Sequence, residues 1–117
     1  MRKIDNGVRG YGITSTGELY WNSLNGVYRQ NGEAMIQLLE SPQPLQWLKY
    51  EKPHVYVNDS NGNSLVLIEG QMVNLKNNHI LKGLNEKQLL VSSEKKIKIY
   101  DIPGKTSQTV VDYRTAT

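Results

Sequence analysis

Hydrophobic and polar residues alternate over short stretches of this chain, and clusters of glycine, asparagine, serine and proline separate these stretches. A period of two is typical of β-strands with one buried face, and the separating residues are those that tight turns require. Three units of strand, turn, strand, turn and strand follow one another. Their strands are predicted at 11–14, 18–21 and 27–28, at 54–57, 65–68 and 71–73, and at 88–91, 97–100 and 109–111. The pattern predicts an all-β or mostly β fold of antiparallel hairpin and meander units.

The three units form an imperfect internal repeat. Their turns are centred near Gly17, Gly62 and Lys95, so the interval is 45 and then 33 residues, which is within the range of repeat architectures. Segment 33–40 fits either a further strand or two helical turns, because alanine, methionine, leucine and glutamate are good helix formers. Pro42 and Pro44 end that segment in either case.

Side-chain alternation also predicts the core. The stretch 97–100 places Ile97 and Ile99 on one face and Lys98 on the other, so we expect the isoleucines to face inward. The stretch 65–68 is apolar throughout, and we expect it to be covered on both faces. The predicted core comprises Ile13, Leu19, Trp21, Val55, Val57, Leu65, Leu67, Leu90, Ile97 and Ile99.

A chain of 117 residues fits one domain with a modest core, so we expect a single β-rich domain over 1–117. The absence of cysteine excludes disulfides, thiolate metal ligands and thiol nucleophiles, and it favours a reducing compartment. The first residues lack the apolar run of a signal peptide, and no apolar stretch is long enough to span a bilayer. We therefore expect a protein that is cytoplasmic or assembled into a particle.

No motif in the sequence indicates catalysis, a cofactor or a metal site, which predicts a non-enzymatic protein. His54 and His79 stand apart without further metal-ligand spacing, and we expect both on the surface or in turns. Glu51 and Asp59 have no spacing that predicts a catalytic pair. Residues 58–63 partly resemble a calcium-binding loop, but asparagine, aspartate, serine and glycine are also the residues of hairpin turns, so a turn is favoured.

The aromatic residues provide the best indication of binding. Seven tyrosines and two tryptophans occur without any phenylalanine, so every aromatic ring carries a polar group, which suits protein interfaces. The candidate interface residues are Trp47, Tyr50, Tyr28 and Tyr113. The alternative is that aromatic residues pack in the core or at its rim, as expected for Trp21, Trp47, Tyr56 and Tyr100.

Two stretches resemble repeated β families. LLVSSEKKIKIYDI, residues 89–102, resembles the middle strands of a WD-repeat propeller blade, with Tyr100-Asp101 where that family has Trp-Asp. Three units are fewer than the about four to eight blades of a propeller, so this resemblance implies closure by a partner or by self-association. Residues 16–21 and 61–66 resemble repeats of bulb-type lectins, although the sugar-contacting pattern of that family is absent.

Residues 10–19 contain a Gly-Tyr-Gly-Ile-Thr segment followed by Gly17. They resemble the short DNA-reading segment found beside some phage homing nucleases. Glu18 stands where that segment usually carries basic residues.

These features together favour a structural or protein-interaction module, a subunit of an oligomer or of a larger assembly such as a viral particle or a secretion machine. The alternative is a nucleic-acid-binding accessory protein. The net charge is +3, and residues 71–117 hold eight basic and four acidic side chains whereas residues 1–70 hold six and seven. Phosphate contacts by lysine and stacking on an aromatic ring are the chemistry of that alternative. Its candidate residues are Lys95, Lys96, Lys98, Tyr100 and Lys105, with Lys82 and Lys87 nearby in sequence.

Overall fold

The computed structural model describes residues 8–112 and confirms the all-β prediction, with twelve strands and no helix in that part of the chain. The strands are β1 (Gly10–Ile13), β2 (Leu19–Asn22), β3 (Gly26–Asn31), β4 (Ala34–Glu40), β5 (Lys49–Glu51), β6 (His54–Asn58), β7 (Ser64–Ile68), β8 (Gln71–Leu75), β9 (His79–Asn85), β10 (Gln88–Ser93), β11 (Lys96–Asp101) and β12 (Thr106–Asp112).

The twelve strands form three four-stranded antiparallel meanders. We call them the N-terminal sheet (β1 to β4), the middle sheet (β5 to β8) and the C-terminal sheet (β9 to β12). Each strand pairs only with its neighbours in sequence, as expected where short turns join antiparallel strands. Segment 33–40 is strand β4 rather than helix, because it completes the first sheet against β3.

The structure corrects the phase of the repeat. The predicted first unit begins at the first strand of its sheet, whereas the second and third predicted units begin at the second strand, so strands β5 and β9 were missed. Equivalent positions lie in the second strands, at Asn22, Asn58 and Ser92, of which the two asparagines end their strands and Ser92 is the last residue but one. Their intervals are 36 and 34 residues, which is a more regular repeat than the turn centres suggested.

The three sheets are stacked, and the middle sheet is covered on both faces. One face contributes Val55, Val57 and Leu65 to a cluster with Tyr20 and Val27 of the N-terminal sheet. The opposite face contributes to a second cluster, which it forms with the C-terminal sheet. In this cluster Tyr56, Val66 and Leu75 of the middle sheet pack with Ile80, Leu89 and Val91 of the C-terminal sheet. The prediction that 65–68 is covered on both faces is confirmed.

Six of the predicted core residues are exposed or only half-buried. Ile13 is exposed, and Leu19, Leu67, Leu90, Ile97 and Ile99 are half-buried. In β10 the fully buried residues are Leu89 and Val91. Cross-strand partners share a face, and Leu90 is paired with Ile99, so both point away from the middle sheet. The inward prediction for Ile97 and Ile99 is therefore wrong.

Glycines let the first two sheets approach closely. A Cβ atom on Gly12 would stand 2.3 Å from Cβ of Tyr50, and one on Gly10 would stand 2.4 Å from the backbone nitrogen of Leu48. Both glycines lie on the inner face of β1, where a side chain would separate β1 from β5. The stack depends on these two positions having no side chain.

Candidate functional site

Aromatic side chains line the outer face of the N-terminal sheet. Tyr11, Trp21 and Tyr28 are cross-strand neighbours in β1, β2 and β3, so they form one row across three strands. The rings of Trp21 and Tyr28 are stacked with centroids 4.3 Å apart. Tyr11 is 66% exposed, and Ile13, in register with Leu19, is also exposed. We call this surface, Tyr11, Ile13, Leu19, Trp21 and Tyr28, the aromatic end face.

Two buried polar atoms on the same face lack hydrogen bonds. The indole Nε1 of Trp21 and the side-chain Oε1 of Gln30 have no partner among the described residues. Gln30 is in register with Leu19 and therefore belongs to the same face as Trp21. A buried donor or acceptor without a partner is costly. Both atoms are buried inside the chain, and the exposed side chains of the face are Tyr11 and Ile13.

Aliphatic side chains line the outer face of the C-terminal sheet. Leu90 of β10 is paired with Ile99 of β11, and Ile97 is paired with Val111 of β12. The first three are half-buried, and Val111 is 44% exposed. We call these four residues the aliphatic end face. No other segment of residues 8–112 packs against it, since the buried clusters lie on the two faces of the middle sheet.

Two buried asparagines join neighbouring sheets at equivalent positions. Asn22 ends β2, where its Oδ1 accepts a hydrogen bond from the backbone nitrogen of Leu48 at 2.8 Å and its Nδ2 donates to the carbonyl oxygen of Gln46 at 2.7 Å. Asn58 ends β6 and binds the backbone nitrogen and carbonyl oxygen of Ile80, each at 3.3 Å. Each asparagine therefore holds the first strand of the following sheet, or the residues just before it.

These asparagines were missed in the sequence, although a signal exists. The second strands read LYWN, VYVN and LLVS at 19–22, 55–58 and 89–92. Aligning these quartets, rather than the glycine turns, would have placed Asn22 and Asn58 at equivalent positions. Ser92 takes that position in the third sheet and is half-buried.

The predicted interface residues lie in different surroundings. Tyr28 belongs to the aromatic end face. Trp47 is 64% exposed in the segment between β4 and β5, and Tyr50 is half-buried against the cluster between the N-terminal and middle sheets. Tyr113 lies outside the described residues. The structure does not combine these residues into one patch, and only Tyr28 lies in a row with the exposed ring of Tyr11.

The predicted nucleic-acid residues lie along β11 and in the turns at its two ends. Lys95 forms the turn before β11 together with Glu94, with φ angles of 62° and 52°, whereas Lys105 lies in the turn after it. Lys96, Lys98 and Tyr100 share one face of β11. That face points toward the middle sheet, because Tyr100 packs with the second buried cluster. Lys82 lies in β9, on the same face as Leu90, and Lys87 is exposed beside β10.

A groove opens between the middle and C-terminal sheets on the side of their later strands. It encloses about 850 Å³ and is lined by Ile68, Val73, Leu75, Tyr100 and Ile102, with Glu69, Gln71, Asn74, Pro103 and Lys105 completing the lining. Burial, and then the negative charge of Asp101, raise the pKa of Tyr100 above its ordinary value. The groove is mainly apolar, with one acidic and one basic residue in its lining.

A polar network ties β5 and β6 to β9. The hydroxyl group of Tyr56 donates to Oε1 of Glu51 at 2.8 Å, and the backbone nitrogen of Gly83 donates to the same oxygen at 2.6 Å. His54 is buried and bonds to the carbonyl oxygen of Asn85. The expectation of a surface or turn position is therefore wrong for His54, and His79 begins β9, half-buried. Burial and then Glu51 raise the pKa of Tyr56.

The aspartate of the loop-like stretch 58–63 organises a turn. Oδ1 of Asp59 accepts hydrogen bonds from the backbone nitrogens of Asn61 and Asn63 at 2.8 and 3.0 Å. This pattern is that of an Asx turn. Across residues 8–112, no group of three histidine, aspartate or glutamate side chains is placed to hold a metal ion. The same part of the chain contains no helix with the length and apolarity of a membrane span.

No protein family matches the chain, and no curated protein or solved structure shows significant similarity to it.

Proposed function

We propose that this protein is a non-enzymatic β-sheet module that works by binding other protein chains through the outer faces of its stack. One observation carries this proposal. The middle sheet has both faces covered, whereas the outer faces of the N-terminal and C-terminal sheets present exposed apolar side chains, Tyr11 and Ile13 on the first and Val111 on the second. Contiguous exposed apolar surface is a mark of protein interaction sites.

The composition of the aromatic end face supports this function. Tyrosine and tryptophan are enriched at protein interfaces, where a few such residues supply most of the binding energy. Tyr11, which is 66% exposed, carries a hydroxyl group on its apolar ring. A bound protein would provide apolar contact for the ring and a hydrogen-bond partner for the hydroxyl group. Assembly into a viral particle or a secretion machine stays a prediction of this proposal.

The proposal is tested by placing a photoreactive amino acid at single positions and identifying the adducts formed in cells. The reporting positions are Tyr11 and Val111 on the two end faces and the exposed Trp47. The control positions are Ser60 and Lys87, which are exposed outside both end faces. We expect discrete protein adducts from at least one end face and none from the controls, because only the end faces offer extended apolar surface.

Nucleic-acid binding is the competing function, and the same experiment needs a second measurement to judge it. The double variant Lys95→Glu, Lys96→Glu reverses two charges at the start of β11. If phosphate contacts were the function, wild-type affinity would fall steeply with added salt and the double variant would lose binding. That result, without protein adducts from either end face, would replace the proposed function by the alternative.

A further inference from the structure

The partner of each end face can be inferred from the two junctions inside the chain. At each junction one sheet supplies a residue at the end of its second strand, Asn22 or Asn58, and the next sheet supplies a buried apolar residue, Leu48 or Ile80. Both junctions therefore use the same positions of consecutive sheets. An interface that repeats in this way can continue beyond the ends of one chain.

The N-terminal sheet presents the receiving half of such a junction, and no sheet precedes it among residues 8–112. Ile80 stands opposite Val91, and Tyr11 stands opposite Trp21 in the corresponding strands. Leu48 directly precedes Lys49, and Lys49 is paired with Tyr56. Leu48 therefore takes the position in the middle sheet that Tyr11 takes in the N-terminal sheet and Ile80 takes in the C-terminal sheet. Leu48 and Ile80 are buried by the sheet before them, whereas Tyr11 is exposed.

The C-terminal sheet presents the opposite half. Ser92 occupies the place of Asn22 and Asn58, and its hydroxyl group can donate and accept a hydrogen bond as the asparagine amide does. Leu90, two residues before Ser92, corresponds to Tyr20 and Tyr56, which are both buried against the following sheet. Leu90 is only half-buried because no following sheet exists within the described chain.

Resting on the function proposed above, we propose that the occupant of the aromatic end face is the aliphatic end face of a second copy of this chain. The copies pack head to tail and continue the stacking of sheets. Such a heterologous contact gives a ring where its rotation closes and an open filament where it does not.

The test uses two variants, each blocking one end face of the purified full chain. Tyr11→Lys places a positive charge in the aromatic end face, and Val111→Lys places one in the aliphatic end face. Both side chains are exposed, so folding should persist, and circular dichroism verifies it. Masses are measured by light scattering and sedimentation over a concentration series. Wild type should associate, and each variant should raise the dissociation constant at least tenfold.

Mixing the two blocked variants distinguishes head-to-tail packing from other modes. Tyr11→Lys keeps an intact aliphatic end face and Val111→Lys keeps an intact aromatic one, so the equimolar mixture should form a 1:1 dimer that neither variant forms alone. Val73→Lys is the matched control, since Val73 is 37% exposed in the middle sheet and its substitution should leave association unchanged. Ile13→Lys serves as a second block of the aromatic end face.

Three outcomes would overturn the inference: a wild-type chain that is monomeric throughout the series, a blocked variant that associates as wild type does, or a mixture that forms no dimer. The crosslinking experiment separates this failure from failure of the proposed function. End-face adducts to a different protein, with a monomeric purified chain, would reject the second copy and retain the interaction module.

Discussion

At the scale of single residues, Asn22 has the clearest structural role. It is fully buried, and its side chain satisfies the backbone nitrogen of Leu48 and the carbonyl oxygen of Gln46. Alanine would leave both backbone groups without these partners, and a buried unsatisfied group costs about 1–3 kcal/mol. We expect Asn22→Ala to lower the free energy of unfolding by about that amount in denaturant melts.

The control for this prediction is Asn31→Ala. Asn31 is exposed at the end of β3, where a surface substitution should change stability by less than about 0.5 kcal/mol. Equal effects of the two substitutions would mean that Asn22 does not hold the first two sheets together.

Tyr56 should make stability depend on alkaline pH. Its folded-state pKa lies above the unfolded value of about 10, so its hydrogen bond to Glu51 stabilises the protein fully below about pH 10 and this contribution is lost as pH rises further. At pH 7, Tyr56→Phe should be less stable than wild type by about 1 kcal/mol. In melts between about pH 8 and 11, that difference should shrink above about pH 10. A difference that stays constant over this range would contradict the assignment.

Single residues were the least predictable level from the sequence. The polar groups of Asn22 and of His54 bond to backbone atoms 24 to 31 positions away, and such partners are set by the stacking of sheets rather than by local pattern. A histidine between proline and valine has the local pattern of an exposed strand end. It is buried here because β9 of the next sheet lies over it.

At the scale of strands, β10 offers two adjacent leucines with opposite surroundings. Leu89 is fully buried between the middle and C-terminal sheets, whereas Leu90 is half-buried on the aliphatic end face. Leu89→Ala should cost about 2–5 kcal/mol through lost apolar burial and the cavity that remains. Leu90→Ala should cost less than about 1.5 kcal/mol, since its site is open to solvent and leaves no closed cavity.

Denaturant melts of both leucine variants at low protein concentration measure this difference, since dilution removes any contribution of association. The reverse order of stabilities would restore the inward orientation of Leu90 that the sequence pattern suggested.

The positions of the strands were largely predictable, but the face of each strand that points inward was not. Turn residues mark the chain clearly, so nine of the twelve strands were located directly and β4 was one of two alternatives. The rule that apolar residues face inward failed in β11, because that strand has one apolar face and one face of lysines and tyrosine. Tyr100 faces the middle sheet, and this sets Ile97 and Ile99 outward.

At the scale of the whole molecule, the sequence predicted three β units but not their stacking order. The resemblance to a propeller blade implied that three units would need a partner for closure. That resemblance, with the closure it implies, stays a prediction. Which faces of the outer sheets point away from the middle sheet depends on the direction in which each strand's apolar side chains point. That direction could be read only from the structure.

The position of the middle sheet has a consequence for how the protein opens in solution. In stacked repeats, each unit is stabilised by its immediate neighbours, and the middle sheet has two of them while each outer sheet has one. Opening that begins at an outer sheet breaks one junction, but exposure of β6 and β7 requires both junctions to break. Backbone amide hydrogens of β6 and β7 should therefore exchange with deuterium most slowly, and exchange should become faster toward both ends of the stack.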